Sequence, residues 1–190
     1  MSDSGATFSK VVSNRNVRVI DESGASIADV EIVRIASNGT YLDGRSDNQG
    51  TWSYLEPFLG TVTILVAGPG WDGAVGVLEV DEWSDTLEIT LAPVESGGSL
   101  IISNGTGYVP GLNGRLNPIR DSQGRTYIYG DNLSFEESPD QPFRFTVDGE
   151  FQASDAQGNA FGLTVLGILG RTSLIRYRQR RATPLEQPHS

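Results

Sequence analysis

Val17-Arg-Val-Ile-Asp-Glu-Ser-Gly24, followed by Ile27-Ala-Asp-Val-Glu-Ile32, decides the fold class. A β-branched run ends in Asp-x-x-Gly, and a second short run with alternating apolar residues begins a few positions later. An Asp at the first turn position accepts a hydrogen bond from the backbone two residues on, and a Gly at the fourth takes the left-handed conformation that turns the chain back. The stretch therefore predicts strand, tight turn, strand. The same punctuation recurs at Asp47–Gly50, Asp121–Gly124 and Asp155–Gly158, at irregular spacing, which marks hairpins rather than a solenoid repeat.

Working outward, short β-branched and aromatic segments recur roughly every 8–14 residues, and no window of ten holds a 3.6-residue apolar repeat free of Gly, Pro or β-branched clusters. In Leu87-Glu-Ile-Thr-Leu91 the apolar residues share one face, as expected of a strand with one side buried. This predicts an all-β protein. An N-terminal arm is expected over residues 1–14, a seven-stranded sandwich over 15–93 and a linker over 94–98. A small antiparallel barrel or sandwich over 99–178 and a tail over 179–190 complete the expected order. The linker is read from Pro93-Val-Glu-Ser-Gly-Gly98 and from a change in charge at the same place. Residues 1–95 carry five basic and fifteen acidic side chains, and the remainder carry nine of each.

The first half resembles the carboxypeptidase regulatory-like, or transthyretin-like, domain family. The resemblance is carried by the two runs above together with Ser46-Asp-Asn-Gln-Gly-Thr-Trp52, Gly60-Thr-Val-Thr-Ile-Leu-Val66 and Leu87-Glu-Ile-Thr-Leu91. It implies a small Ig-like sandwich with no catalytic residues, used as an accessory, spacer or binding module. Tyr54-Leu-Glu56-Pro57 is similar to the Glu-bearing strand end of isopeptide-forming pilin and adhesin domains. Those domains need a lysine on the first strand, where this chain has Val19, so Glu56 is expected to be a solvated strand end.

Composition narrows the chemistry. The 190 residues contain no Cys and a single His, His189, which excludes thiol nucleophiles, zinc thiolate sites, disulfides and a histidine triad within the chain. A formal net charge of −10 disfavours nucleic acid and anionic membrane as partners. No run approaches the roughly 18 apolar residues that span a bilayer. Met1-Ser-Asp-Ser-Gly5 lacks the basic and apolar regions of a secretory signal, pointing to a cytoplasmic protein or one trimmed of its leader.

The remaining candidates are surface features. Gly68-Pro-Gly-Trp71-Asp72-Gly73 reads as a loop whose indole either stacks on a sugar or partner or folds back over the sandwich end. Acid-flanked Trp83 has the same two readings, whereas Trp52 alternates with Tyr54 and reads as packing. Arg176, Arg178 and Arg180 form a basic strip at the far end, with Arg171 and Arg181 nearby, for which the acidic half of this chain or of a neighbour is the natural counterpart. The carboxylates Asp148, Glu150 and Asp155 cluster locally. These features predict a non-enzymatic binding or assembly module, without cofactor or metal, that engages a carbohydrate, a protein or copies of itself. A carboxylate-based carbohydrate-active enzyme and a structural subunit of a larger assembly are the alternatives.

Overall fold

The structure, a computed structural model, describes residues 13–80, 86–138 and 140–180. It is all-β, and no helix occurs among the described residues. In chain order the strands are β1 (Ser13–Asp21), β2 (Glu31–Ala36), β3 (Tyr41–Arg45), β4 (Thr51–Glu56), β5 (Thr61–Glu79), β6 (Thr86–Leu91) and β7 (Pro93–Ile102). They continue as β8 (Arg115–Arg120), β9 (Thr126–Asp131), β10 (Leu133–Phe135), β11 (Phe143–Phe145), β12 (Glu150–Asp155), β13 (Ala160–Leu169) and β14 (Thr172–Gln179).

All four Asp-x-x-Gly turns form as their chemistry dictates. At Asp155, Oδ1 accepts the backbone N–H groups of Gln157 and Asn159 at 2.9 and 3.0 Å, and Gly158 closes the turn at φ 83°. The turns at Asp21, Asp47 and Asp121 repeat these bonds with Gly24, Gly50 and Gly124 at φ 85°, 74° and 79°. Each turn thus satisfies backbone donors locally and sets the reversal of the chain.

An eight-stranded sheet in the order β10-β12-β13-β14-β7-β5-β2-β3 runs through both halves of the chain. On the first half it is faced by the sheet β4-β1-β6, in which β1 and β6 run parallel. Val17, Val19, Ile32, Ile64, Val66 and Leu91 fill the space between them. On the second half it is faced by the sheet β11-β9-β8, and Leu116, Ile128, Phe151, Leu163, Ile175 and Tyr177 pack in the second core. The arrangement is sandwich-like at both ends. The barrel alternative for the second half is not what forms, because the described strands pack face to face without closing.

Residues 94–98 lie inside β7, the strand through which the two halves share one sheet. β7 pairs with β14 on one side and β5 on the other. The glycines that read as linker are required by close approach. A Cβ on Gly97 would sit 2.0 Å from the Tyr177 carbonyl oxygen, and one on Gly98 would sit 2.6 Å from the Gly70 nitrogen.

The expected loop over residues 68–73 is corrected as well. These residues belong to β5, which continues for 19 residues through a register shift between Pro69 and Trp71. Gly70, at φ 78°, takes the positive dihedral there, so the strand bends at this point without ending.

A third, smaller apolar cluster lies between Val33, Leu65, Ala67 and Leu174. It joins β2 and β5 of the first half to β14 of the second, so apolar packing as well as strand pairing ties the halves together.

Candidate functional site

Most of the side chains singled out from the sequence are engaged with the rest of the chain. Trp71 is half-buried in β5 and packs against the first core. Asp72 and Arg176 meet each other: Arg176 Nη1 donates to Asp72 Oδ2 at 2.9 Å, and its Nη2 donates to Thr164 Oγ1 at 3.3 Å. The acidic half of the chain thus receives an arginine of the basic strip, in a pair whose side chains both stay partly exposed. Arg180 lies 3.6 Å from Glu150 Oε1 in an exposed pair, and Arg178 is exposed. Trp83 and Arg181 lie outside the described residues.

The carboxylate cluster is dispersed in the same way. Asp155 accepts backbone bonds from Asn113, Gln157 and Asn159, and the Asn159 side-chain amide donates to it at 2.8 Å. The Asn159 amide foremost, then the backbone donors, hold the Asp155 carboxyl below the ordinary aspartate value against a contribution from burial that acts upward. Such a group is fixed as a turn anchor and is poorly suited to general acid work. Glu150 is engaged with Arg180 and accepts from Gln152 Nε2.

Glu56, expected in water, is buried. It receives both arms of the Arg34 guanidinium, with Nε donating to Oε2 at 2.9 Å and Nη2 donating to Oε1. The Tyr54 hydroxyl donates to Oε2 at 3.2 Å, and the Phe58 backbone N–H donates to Oε1 at 3.0 Å. Burial pushes the Tyr54 phenol well above its usual range, and the adjacent Glu56 charge adds to the effect. Both members of the pair are themselves buried and mutually satisfied, which fits a structural role.

A concave feature that combines apolar and basic side chains lies elsewhere. A cleft of about 640 Å³ opens between the β2–β3 hairpin and the β13–β14 hairpin. Ile35, Ile168 and Leu169 supply its apolar lining, and Arg120, Arg171 and Tyr41 supply polar groups. Arg171 Nη2 donates to the Asn104 carbonyl oxygen at 2.7 Å, and the Tyr41 hydroxyl lies 3.0 Å from Ser103 Oγ. Arg120 also borders an adjoining hollow of about 310 Å³, whose wall includes Arg125 and Arg144. There Arg125 is partly neutralised, since its Nε donates to Asp121 Oδ2 at 2.7 Å.

Sequence reasoning placed Arg171 among a run of arginines but found neither Arg120 nor Tyr41 as its neighbour across a cleft. Tyr41, Arg120 and Arg171 sit on three separate turns or strand ends. The shared sheet brings one end of β2 and β3 to the same side as the β13–β14 turn, and the facing sheet supplies Arg120 from the end of β8. No local motif signals the grouping.

No known protein-family model matches the chain. The sequence is similar to 3' cyclic ADP-D-ribose synthase AaTIR of Aquimarina amphilecti, at 28% identity over 166 residues, covering 87% of this chain and 50% of that protein. The chain thus spans about half the length of the curated relative it matches. Among solved structures, a likeness to 3-chlorocatechol 1,2-dioxygenase of Rhodococcus opacus 1CP covers 43% of this chain and 59% of that one. Its TM-score is 0.37 at 13% identity, too slight to bear on fold or function.

The synthase similarity overturns the expectation of a non-enzymatic binding or assembly module. The curated relative is an enzyme, and the resemblance runs over most of the present chain. The absence of Cys and the presence of a single His remove only the chemistries that need those groups. Nucleotide chemistry run by carboxylates, arginines and hydroxyls is untouched by that exclusion.

Proposed function

We propose that this chain is a β-rich portion of an enzyme that forms a cyclic ADP-ribose nucleotide. The observation that carries the reading is the 28% identity with the Aquimarina amphilecti synthase across 166 residues. The arginine-bearing cleft supports it, because an ADP-ribose nucleotide presents a pyrophosphate, and paired guanidiniums are matched in charge and planar geometry to phosphate oxygens.

The test uses the full natural protein and NAD+, a dinucleotide that carries ADP-ribose on a leaving group. Chromatography with mass spectrometry should find 3' cyclic ADP-D-ribose accumulating in proportion to enzyme and time. An intact dinucleotide pool after prolonged incubation at micromolar protein refutes the reading.

A further inference from the structure

The cleft between the β2–β3 and β13–β14 hairpins combines three properties that single it out. Its volume of about 640 Å³ falls inside the roughly 300–1,000 Å³ typical of small-molecule sites. Among the described residues that line it, two are arginines and none is a carboxylate, although the whole chain has 24 acidic residues against 14 basic. The wall of the adjoining hollow adds Arg144, together with an Arg125 that is paired with Asp121. Local charge therefore runs against the charge of the molecule, as at a site selected for an anion.

Geometry narrows the anion. Arg171 spends one of its five donors on the Asn104 carbonyl, which holds the guanidinium at the cleft with further donors to offer. Arg120 belongs to both depressions. Ile35, Ile168 and Leu169 make an apolar surface beside these cations, and the half-exposed ring of Tyr41, on the edge strand β3, stands with them. A small inorganic ion has no use for such a surface. A nucleotide does, because its base and ribose bring flat and apolar faces to accompany the phosphates.

We propose that this cleft binds a nucleoside diphosphate group of the ADP-ribose class. Arg120 and Arg171 hold the pyrophosphate, and Tyr41 with the apolar lining holds the adenosine. The choice of ADP-ribose rests on the synthase reading given above; the diphosphate and the nucleoside rest on the charge and shape of the cleft.

The experiment is a titration of the uniformly 15N-labelled 190-residue chain with ADP-ribose, ADP and pyrophosphate, read by amide chemical shifts. ADP-ribose is expected to give saturable shifts in both hairpins, at residues 35–41 and at 168–172. Arg120→Ala and Arg171→Ala should each weaken binding by about tenfold or more, the scale of a lost charge-assisted contact. Arg115→Ala, at an exposed pair with Asp131 away from the cleft, should bind as the parent does. Arg120 is exposed, so its variant tests the site without threatening the fold, and dispersed spectra of each variant verify that it is folded.

ADP binding as tightly as ADP-ribose, with loss in Arg120→Ala, supports the cleft and counts against the synthase reading. Pyrophosphate binding as tightly as either nucleotide removes the nucleoside part of the proposal and overturns it. Absence of saturable shifts, or shifts indifferent to both arginine variants, also overturns it, and cyclic product from the full protein would then leave the synthase reading standing alone.

Discussion

Arg34 on β2 and Glu56 on β4 form an ion pair across the interior of the first sandwich, joining its two sheets with side chains that are 0% and 1% exposed. Thr40 adds its carbonyl oxygen as an acceptor for Arg34 Nη1 at 3.1 Å, and the Phe58 ring lies 5.7 Å from the guanidinium carbon. Taking both ions out of water is costly, and the pair persists because nearly every donor and acceptor has a partner of good geometry.

Removing one member leaves the other charged and alone. Glu56→Ala should lower stability by about 3–5 kcal/mol, whereas the double replacement Arg34→Met with Glu56→Leu should recover much of that loss. Urea denaturation followed by tryptophan fluorescence measures both. A Glu56→Ala midpoint equal to that of the parent would refute the assignment of a dry, mutually dependent pair.

Asp72 and Arg176 link β5 to β14 over 104 positions of sequence, with both side chains about one-quarter exposed. Either single replacement by Ala should cost on the order of 1–2 kcal/mol, the scale of a hydrogen bond to a charged group after partial screening. The double-alanine protein should lose less than the sum of the two. A cycle whose coupling energy is zero within error would show that the contact adds nothing across the halves.

Gly97 and Gly76 offer a paired test of the shared sheet. A methyl group at Gly97 meets the Tyr177 carbonyl at 2.0 Å, a backbone atom that cannot move away, whereas one at Gly76 meets nothing within 4 Å. Gly97→Ala should therefore destabilise by roughly 2–3 kcal/mol or more, and Gly76→Ala should stay within about 1 kcal/mol of the parent. Thermal unfolding by circular dichroism distinguishes them, and equal melting temperatures would argue against the tight β7–β14 contact.

Acid should unfold the protein partly through its turns. The Ser23 hydroxyl first, and the Ala25 backbone next, hold the Asp21 carboxyl below its ordinary value, and the Asn159 side-chain amide leads a similar set at Asp155. A depressed folded-state value means that the unfolded chain binds more protons between the two values, so stability rises with pH there. The contribution is complete above the unfolded aspartate value of about 3.9 and is lost as pH falls through the folded ones. Stability measured from pH 6 to pH 2 should fall most steeply below about pH 4, and Asp155→Asn should flatten that fall. An unchanged slope in the variant would remove Asp155 from the account.

Fold class was legible in the chain because strand alternation and Asp-x-x-Gly turns are local: each depends on a handful of consecutive residues and on backbone geometry that distant contacts do not alter. Leu87-Glu-Ile-Thr-Leu91 alternates in the structure as in the sequence, and each of the four turns closes on its glycine. Tertiary structure alone decided the rest. Glu56 looked like a solvated end because its partner Arg34 lies 22 residues away on the opposite sheet. Gly97 and Gly98 looked like a linker because a glycine needed for flexibility and one needed for close packing are the same letter. Tyr41, Arg120 and Arg171 carried no common signal, since a cleft is made by whichever strands the sheet order brings together, and that order is set by long-range pairing and core packing.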